Sequence, residues 1–388
     1  MKNKLLIVVG VQTYPNPALS KIHSDLNELF DIDIFGLDKQ NALNTFPNYK
    51  SYSFLSRSYN KLRLYKLLHL IFFFLTKNQR DLLNFKLQLR LKRAGFFFLK
   101  KQQYDFILNI DSTGAYIAKS KNRKIHNALF IYEILGFQNY SDGKKMVDFL
   151  CHMEKKAIQN TSFLISSAND ELGKLLNEIH NTNKEIISYS ICPPQQFKEE
   201  ITLNSLLKFY YHGALFENRG LEAAILAIKD LPNAELHIRG FGPLKETLIH
   251  LIQKHEISNV FLLEPVEMSK LTEEAIHFDL GVSLVRMNVL NHQYNVGFKT
   301  FENISAGLAL IVPESKPLKK LIDHASNGIY YTDATIPELS KVFTFCVENP
   351  EQIKTWKENS RKVYQELYNP SFQQRTLISS IHKFFNHQ

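Results

Sequence analysis

Three stretches of the chain bring glycine, a cation and a predicted helix start together, a grouping that suits anion binding. The first is His212-Gly213-Ala214-Leu215-Phe216-Glu217-Asn218-Arg219-Gly220. Unpaired N–H groups at a helix N-terminus and the fork of a guanidinium together fit a diphosphate. On spacing alone, an ordinary turn with a surface arginine is the commoner source of such a pattern. The second is Arg239-Gly240-Phe241-Gly242-Pro243. Its two glycines would let a planar group approach the backbone, and Pro243 suits a first helical turn, although a plain tight turn explains the same residues. The third is Tyr294-Asn295-Val296-Gly297-Phe298-Lys299-Thr300-Phe301-Glu302. Lys299 and Glu302 stand three apart on one helix face, so the acid could hold ribose hydroxyls while the cation and helix start face phosphate. A solvated ion pair is the bland alternative. What favours a site is that all three loops should open onto one edge of one sheet.

Those loops need strands to end them and helices to follow them. Short β-rich runs alternate with longer amphipathic segments along the whole chain. In the first half, strands are predicted at residues 5–9, 32–35, 106–110, 128–132 and 163–166, with helices over 20–29, 59–76, 81–99, 113–119 and 144–159. In the second half, strands fit 208–212, 235–239, 260–263, 280–284, 309–312 and 328–331, with helices over 220–230, 243–255, 270–277, 298–305 and 337–349. This alternation predicts an α/β chain of two doubly wound, Rossmann-like domains facing each other across a cleft. Residues 188–204, around Pro193-Pro194, read as the linker. In such sheets ligands bind beyond the carboxyl ends of the strands.

Composition excludes several classes. At 388 residues and 44% hydrophobic, the chain is long enough for two cores and too apolar for disorder. Cys151, Cys192 and Cys346 are odd in number and far apart, which excludes a disulfide scaffold and fits a reducing cytosol. No Cys/His cluster has zinc spacing. Asp31-Ile32-Asp33 has the DxD form of a metal motif, but it enters an apolar strand and is rejected as one. The apolar run after Lys2 and Lys4 is too short for an export signal, and residues 67–75 fall well below the ~20 a spanning helix needs. The net charge of +9 is concentrated: residues 57–101 hold twelve basic side chains against one acidic, Asp81, and seven phenylalanines. The remainder of the chain is slightly acidic. Such a segment could lie on an anionic leaflet, or form two ordinary helices with solvated cations outside. No motif for nucleic acid accompanies it.

The second half resembles the donor-sugar domain of GT-B glycosyltransferases, closest to the large retaining family numbered four, also described as glycosyl transferases group 1. The resemblance rests on Gly213 and Arg219-Gly220, Arg239-Gly240-Phe241-Gly242-Pro243, the segment 260–266, Asp279-Leu280-Gly281-Val282-Ser283-Leu284, Lys299-Thr300-Phe301-Glu302-Asn303, Ser305-Ala306-Gly307 and Asn327-Gly328. It runs in order over residues 208–349. The first half is similar more loosely, through Tyr104-Asp105-Phe106-Ile107, Ile131-Tyr132-Glu133, residues 153–158 and 164–167, and the pre-linker phrase Ile191-Cys192-Pro193-Pro194. The resemblance implies an acceptor-binding domain over 1–192, a donor-binding domain over 193–365, and a helix over 366–388 that returns to the first domain.

It also implies roles. Glu302 would bind the nucleotide ribose, and the loop with Gly240, Phe241 and Gly242 the base. Gly213, Arg219 and Lys299 would hold the diphosphate, with Asn295 and the helix start at Gly297 and Phe298. Gly10, in the loop after the first strand, would face the same phosphates across the cleft. Glu133 would be an acceptor-side or catalytic group, or else a capping or ion-paired glutamate. Two departures stand out: Tyr294 replaces a family glutamate, and Ala214 replaces a basic residue, leaving Arg219 and Lys299 to carry the cationic load. The implied reaction moves a sugar from a nucleotide-diphosphate sugar to a glycan or lipid-linked acceptor with retention, building a surface polysaccharide or glycoconjugate. It needs no cofactor or metal, since fixed cations stabilise the departing diphosphate. The implied location is cytoplasmic, peripheral on the inner face of the membrane. A non-catalytic GT-B subunit and a GT-B nucleotide-sugar epimerase are the alternatives.

Overall fold

A computed structural model of the protein describes residues 2–12, 17–38, 49–51, 104–110, 112, 115, 125–131, 144–167, 170–197, 200–267 and 270–386. Glu133 and the basic segment 57–101 lie outside the described residues. The chain forms two units, Met1–Tyr189 with Leu377–Gln388 (unit 1) and Ser190–Thr376 (unit 2).

Unit 1 runs β1 (Asn3–Gln12), α1 (Pro17–Leu26), β2 (Phe30–Asp38), β3 (Tyr49–Ser51), β4 (Phe106–Ile110), β5 (His126–Ile131), α2 (Lys144–Asn160), β6 (Phe163–Ser167), α3 (Glu171–His180) and β7 (Ile186–Tyr189). Its seven described strands are parallel, in the order β3-β2-β1-β4-β5-β6-β7. A strand covered on both faces reads as an unbroken apolar run, and Leu5, Leu6, Ile7, Val8 and Val9 are all fully buried. Gly10 corrects an expectation. It does not lie in a loop after the strand, because β1 pairs with β2 as far as Gln12. The register slips from Val8↔Phe35 to Val11↔Leu37, which places Gly10 in a bulge. Asp33 on β2 accepts a hydrogen bond from the Tyr104 hydroxyl at 2.7 Å, a structural use of the Asp31-Ile32-Asp33 phrase.

Unit 2 runs β8 (Leu207–His212), α4 (Leu221–Ile228), β9 (Ala234–Arg239), α5 (Lys245–Lys254), β10 (Val260–Leu263), α6 (Leu271–Ala275), β11 (Leu280–Val282), α7 (Leu290–Tyr294), α8 (Phe298–Ser305), β12 (Ala309–Pro313), α9 (Lys316–Ala325), β13 (Gly328–Tyr331), α10 (Ile336–Glu348), α11 (Pro350–Glu366) and α12 (Pro370–Asn386). Its six strands are again parallel, ordered β10-β9-β8-β11-β12-β13. The reversal between β8 and β11 is the topological switch point at which such sheets bind ligands. At the opposite edge, the Lys357 ammonium of α11 meets Asp279 at 3.3 Å and the carbonyls of Thr202 and Phe278, anchoring the strand starts.

The units divide at Tyr189 and Ser190 rather than after residue 192. Ile191 and Cys192 are buried, and the Tyr364 hydroxyl of α11 donates to the Pro193 carbonyl at 3.0 Å, so the start of the expected linker is packed on unit 2. α12 stays with unit 2 as far as Thr376, and only Leu377 onward belongs to unit 1. There Phe384 stacks on Phe163 at 4.0 Å and Lys383 pairs with Glu185 at 2.8 Å.

Candidate functional site

Because the strands of unit 2 are parallel, β8, β9 and β11 all release their chains at one edge, and α8 begins there. The first two loops are stitched together by backbone. The Gly213 N–H donates to the Arg239 carbonyl at 3.0 Å, Leu215 N–H to Phe241 at 2.9 Å, and Leu244 N–H to Leu215 at 3.1 Å. A Cβ on Gly240 would collide with the Gly213 carbonyl, and one on Gly242 with that of Leu215. The space these two glycines leave open is thus filled by the neighbouring loop. What the second loop offers outward is the Phe241 ring, 59% exposed, with Phe216 of the first loop also exposed.

Lys299, in the first turn of α8, reaches back to the first loop. Its ammonium lies 4.2 Å over the Tyr211 ring and 3.2 Å from where a Gly213 side chain would begin. Lys299 thus brings a cation against the Gly213 end of the first loop. Burial, reinforced by the Arg219 guanidinium, pushes the Lys299 pKa down to about 7, against an upward pull from Glu302. Neither Arg219 nor Lys299 makes an ion pair among the described residues. Glu302 meets His212, Asp333 meets Arg286, and Glu274 meets Arg239.

The two cations face a cavity of about 80 Å³ that Asn295 and Gly297 also line, together with Ser283, His292 and Thr300. Structure thus brings together Gly213, Arg219, Asn295, Gly297 and Lys299. Phe298 occupies the same helical turn without lining the cavity. Ser283, His292 and Thr300 were not singled out by sequence. Ser283 and Thr300 had a legible signal, since they stand inside two of the motif phrases, and both hydroxyls are buried without a hydrogen bond. His292 donates through Nδ1 to the Arg286 carbonyl at 2.6 Å, while burial holds its pKa below the usual value and Arg219 adds to that effect.

Loops after other strands brace this wall. The Tyr331 hydroxyl of β13 donates to the Ser283 carbonyl at 2.8 Å and accepts from Val285 N–H at 3.0 Å. Asp333 accepts from Met287 and Ala334 N–H and pairs with Arg286, whose own N–H reaches the Asn218 carbonyl. Tyr294, in place of the family glutamate, has the Lys316 ammonium 5.0 Å from its ring centre. Of the remaining predicted residues, Gly10 belongs to unit 1 and Glu133 lies outside the described residues. Among the described residues, no group of His, Cys, Asp or Glu is placed to hold a metal ion, and no helix is long and apolar enough to cross a membrane.

Residues 195–363 match the family model described as glycosyl transferases group 1. Chitobiosyldiphosphodolichol beta-mannosyltransferase of Candida glabrata is 25% identical over 149 residues, 37% of this chain and 31% of that protein. The chain thus spans about a third of that relative's length. Among solved structures, sucrose-phosphate synthase from Thermosynechococcus elongatus superposes over the whole of both chains with a TM-score of 0.72 and 11% identity. The Anabaena protein HepE in complex with UDP gives a TM-score of 0.71 and 11% identity, over 98% of this chain and all of that one. Likeness at those identities is one of fold. Residues 195–363 thus carry the match to glycosyl transferases group 1, and the chain as a whole has the GT-B fold.

Proposed function

We propose that the protein is a metal-independent retaining glycosyltransferase, moving a sugar from a nucleoside-diphosphate sugar to a glycan or lipid-linked acceptor in surface polysaccharide or glycoconjugate synthesis. The observation that carries this reading is the pair Arg219 and Lys299, two cations on one cavity at the switch point of unit 2, with no carboxylate paired to either among the described residues. An unneutralised cation pair in a partly dry cleft is costly unless an anion visits it, and a diphosphate has the matching charge. As the glycosidic bond breaks, negative charge grows on the diphosphate. Arg219, Lys299 and the first N–H groups of α8 would stabilise that charge in place, which is where most of the rate enhancement would arise. The departing phosphate would itself take the proton from the acceptor hydroxyl. Phe241 offers a ring for the base and Glu302 a carboxylate for the ribose.

The HepE structure contains UDP, and the Candida glabrata relative is named for a diphosphodolichol acceptor; both support a nucleotide donor and a lipid-linked acceptor here. The basic segment 57–101 supports a place on the cytoplasmic face of an anionic membrane. The test is incubation with UDP- and GDP-sugars, with and without a lipid-linked acceptor on anionic vesicles, followed by NMR of the anomeric product. Transfer with retained configuration is expected. Binding of every nucleotide sugar without transfer or slow hydrolysis would instead mark a non-catalytic subunit.

A further inference from the structure

His212, the last residue of β8, and Glu302, on the second turn of α8, are ninety positions apart in sequence and belong to no common motif. The fold sets His212 Nε2 2.7 Å from Glu302 Oε2. His212 is 3% exposed, and its Nδ1 is buried with no hydrogen-bond partner. Its ring stacks on Tyr210 at 5.1 Å and 25°, and Tyr210 in turn stacks on Phe278 at 4.2 Å and 3°. The imidazole is therefore clamped by packing and donates one hydrogen bond outward, to the carboxylate. Glu302 Oε1 takes no hydrogen bond among the described residues and is not among the buried unpartnered atoms, so it stays open to a ligand.

A buried ring that leaves one nitrogen orphaned is a net cost to the fold. That cost is understandable if the bond it makes serves something else. We propose that His212 is a positioning residue for the donor: it holds one oxygen of Glu302 so that the other is presented, already oriented, to the vicinal hydroxyls of a nucleotide's ribose. The inference rests on the donor-site reading of Glu302. Orientation in advance matters because a free carboxylate must give up rotamer freedom on binding, and a charge-assisted bond to a diol loses strength steeply with angle.

The experiment compares binding of UDP, GDP, their 2′,3′-dideoxy forms and pyrophosphate to the wild-type chain and to two variants. His212→Phe keeps the stacked ring and removes both nitrogens; His212→Gln keeps a donor near the position of Nε2. The expected result is a wild-type preference for the ribose form over the dideoxy form that falls about tenfold in His212→Phe. His212→Gln should recover most of it, and pyrophosphate affinity should be alike in all three. A merely structural histidine would shift every ligand together or none, and an unchanged ribose preference in His212→Phe overturns the proposal. If the wild-type chain binds neither UDP nor GDP, the donor-site reading falls, and this inference with it.

Discussion

At the carboxyl edge of unit 2 two cations, Arg219 and Lys299, line a cavity beside the neutral Ser283, Asn295 and Thr300, with no carboxylate paired to either cation among the described residues. Near the corresponding edge of unit 1, several buried polar atoms are neutral and unpartnered. Asn109 Oδ1 at the end of β4 and the hydroxyls of Ser166 and Ser167 at the end of β6 are buried and take no hydrogen bond. Both sheets are parallel and wound alike, so topology alone does not choose the ligand. The few side chains that follow each strand do. Fixed cations select a diphosphate, whereas uncharged donors and acceptors suit a hydroxyl-rich partner. The loops differ in how they are held, too. In unit 2 they are stitched to one another through Gly240 and Gly242, while in unit 1 Gly10 sits inside a strand bulge.

The largest effect should come from breaking the stitch. Gly240→Ala drives a methyl group into the Gly213 carbonyl, and a backbone clash of this kind costs about 3 kcal/mol or more. Guanidinium unfolding of the chain should show a lowered midpoint, and a wild-type midpoint would mean the two loops are not clamped. Next is charge. Arg219→Met should weaken nucleotide-sugar binding by about 30- to 100-fold, as expected for one lost charge-assisted contact, with thermal stability unchanged. Calorimetric titration checks both.

Acidity offers a smaller lever. Lys299 in the free protein titrates near pH 7, and a bound diphosphate favours its protonated form. Affinity for a nucleotide sugar, whose two phosphates are both esterified, should be greatest below pH 7 and fall by up to about tenfold per pH unit above it. Lys299→Arg should flatten that slope. Without ligand the sign reverses for folding. Between pH 7 and about 10 an unfolded lysine binds more protons than the folded one, so stability contributed by this group rises with pH. The smallest effect belongs to unit 1. Ser166→Ala with Ser167→Ala should leave donor affinity within about twofold and raise the acceptor KM a few-fold, as for weak neutral hydrogen bonds. An equal fall in donor affinity would erase the contrast between the two edges.

Much of this is legible in the sequence. The strands of unit 2 read clearly because burial on both faces of a parallel sheet forces continuous apolar runs such as Ala309 to Val312. β7 did not, because its alternate residues face outward and its start follows a polar stretch, so it merged with the expected linker. α9 carries three lysines along its exposed side, which dilute its apolar pattern in the sequence, although Ser315 caps it by accepting from Leu318 N–H and Pro317 lies in its first turn. At the site, Arg219 and Lys299 were recoverable from motif order. Their shared cavity was not, since it depends on where α8 lies against β8. Gly240 and Gly242 show a different limit. A glycine that admits a ligand and one that admits a neighbouring backbone are identical in sequence, because both need only the absence of a side chain. The contact between His212 and Glu302 had no signal, being created by the strand order alone.

The central claim is that Arg219 and Lys299 form the seat of a donor diphosphate. Titration of the wild-type chain and of the Arg219→Met, Lys299→Met double variant with UDP- and GDP-sugars at pH 6.5 tests it most directly. The account predicts saturable binding of at least one nucleotide sugar by the wild type, and no measurable binding by a double variant that still unfolds cooperatively at the wild-type temperature. Equal affinity in the two proteins would contradict it.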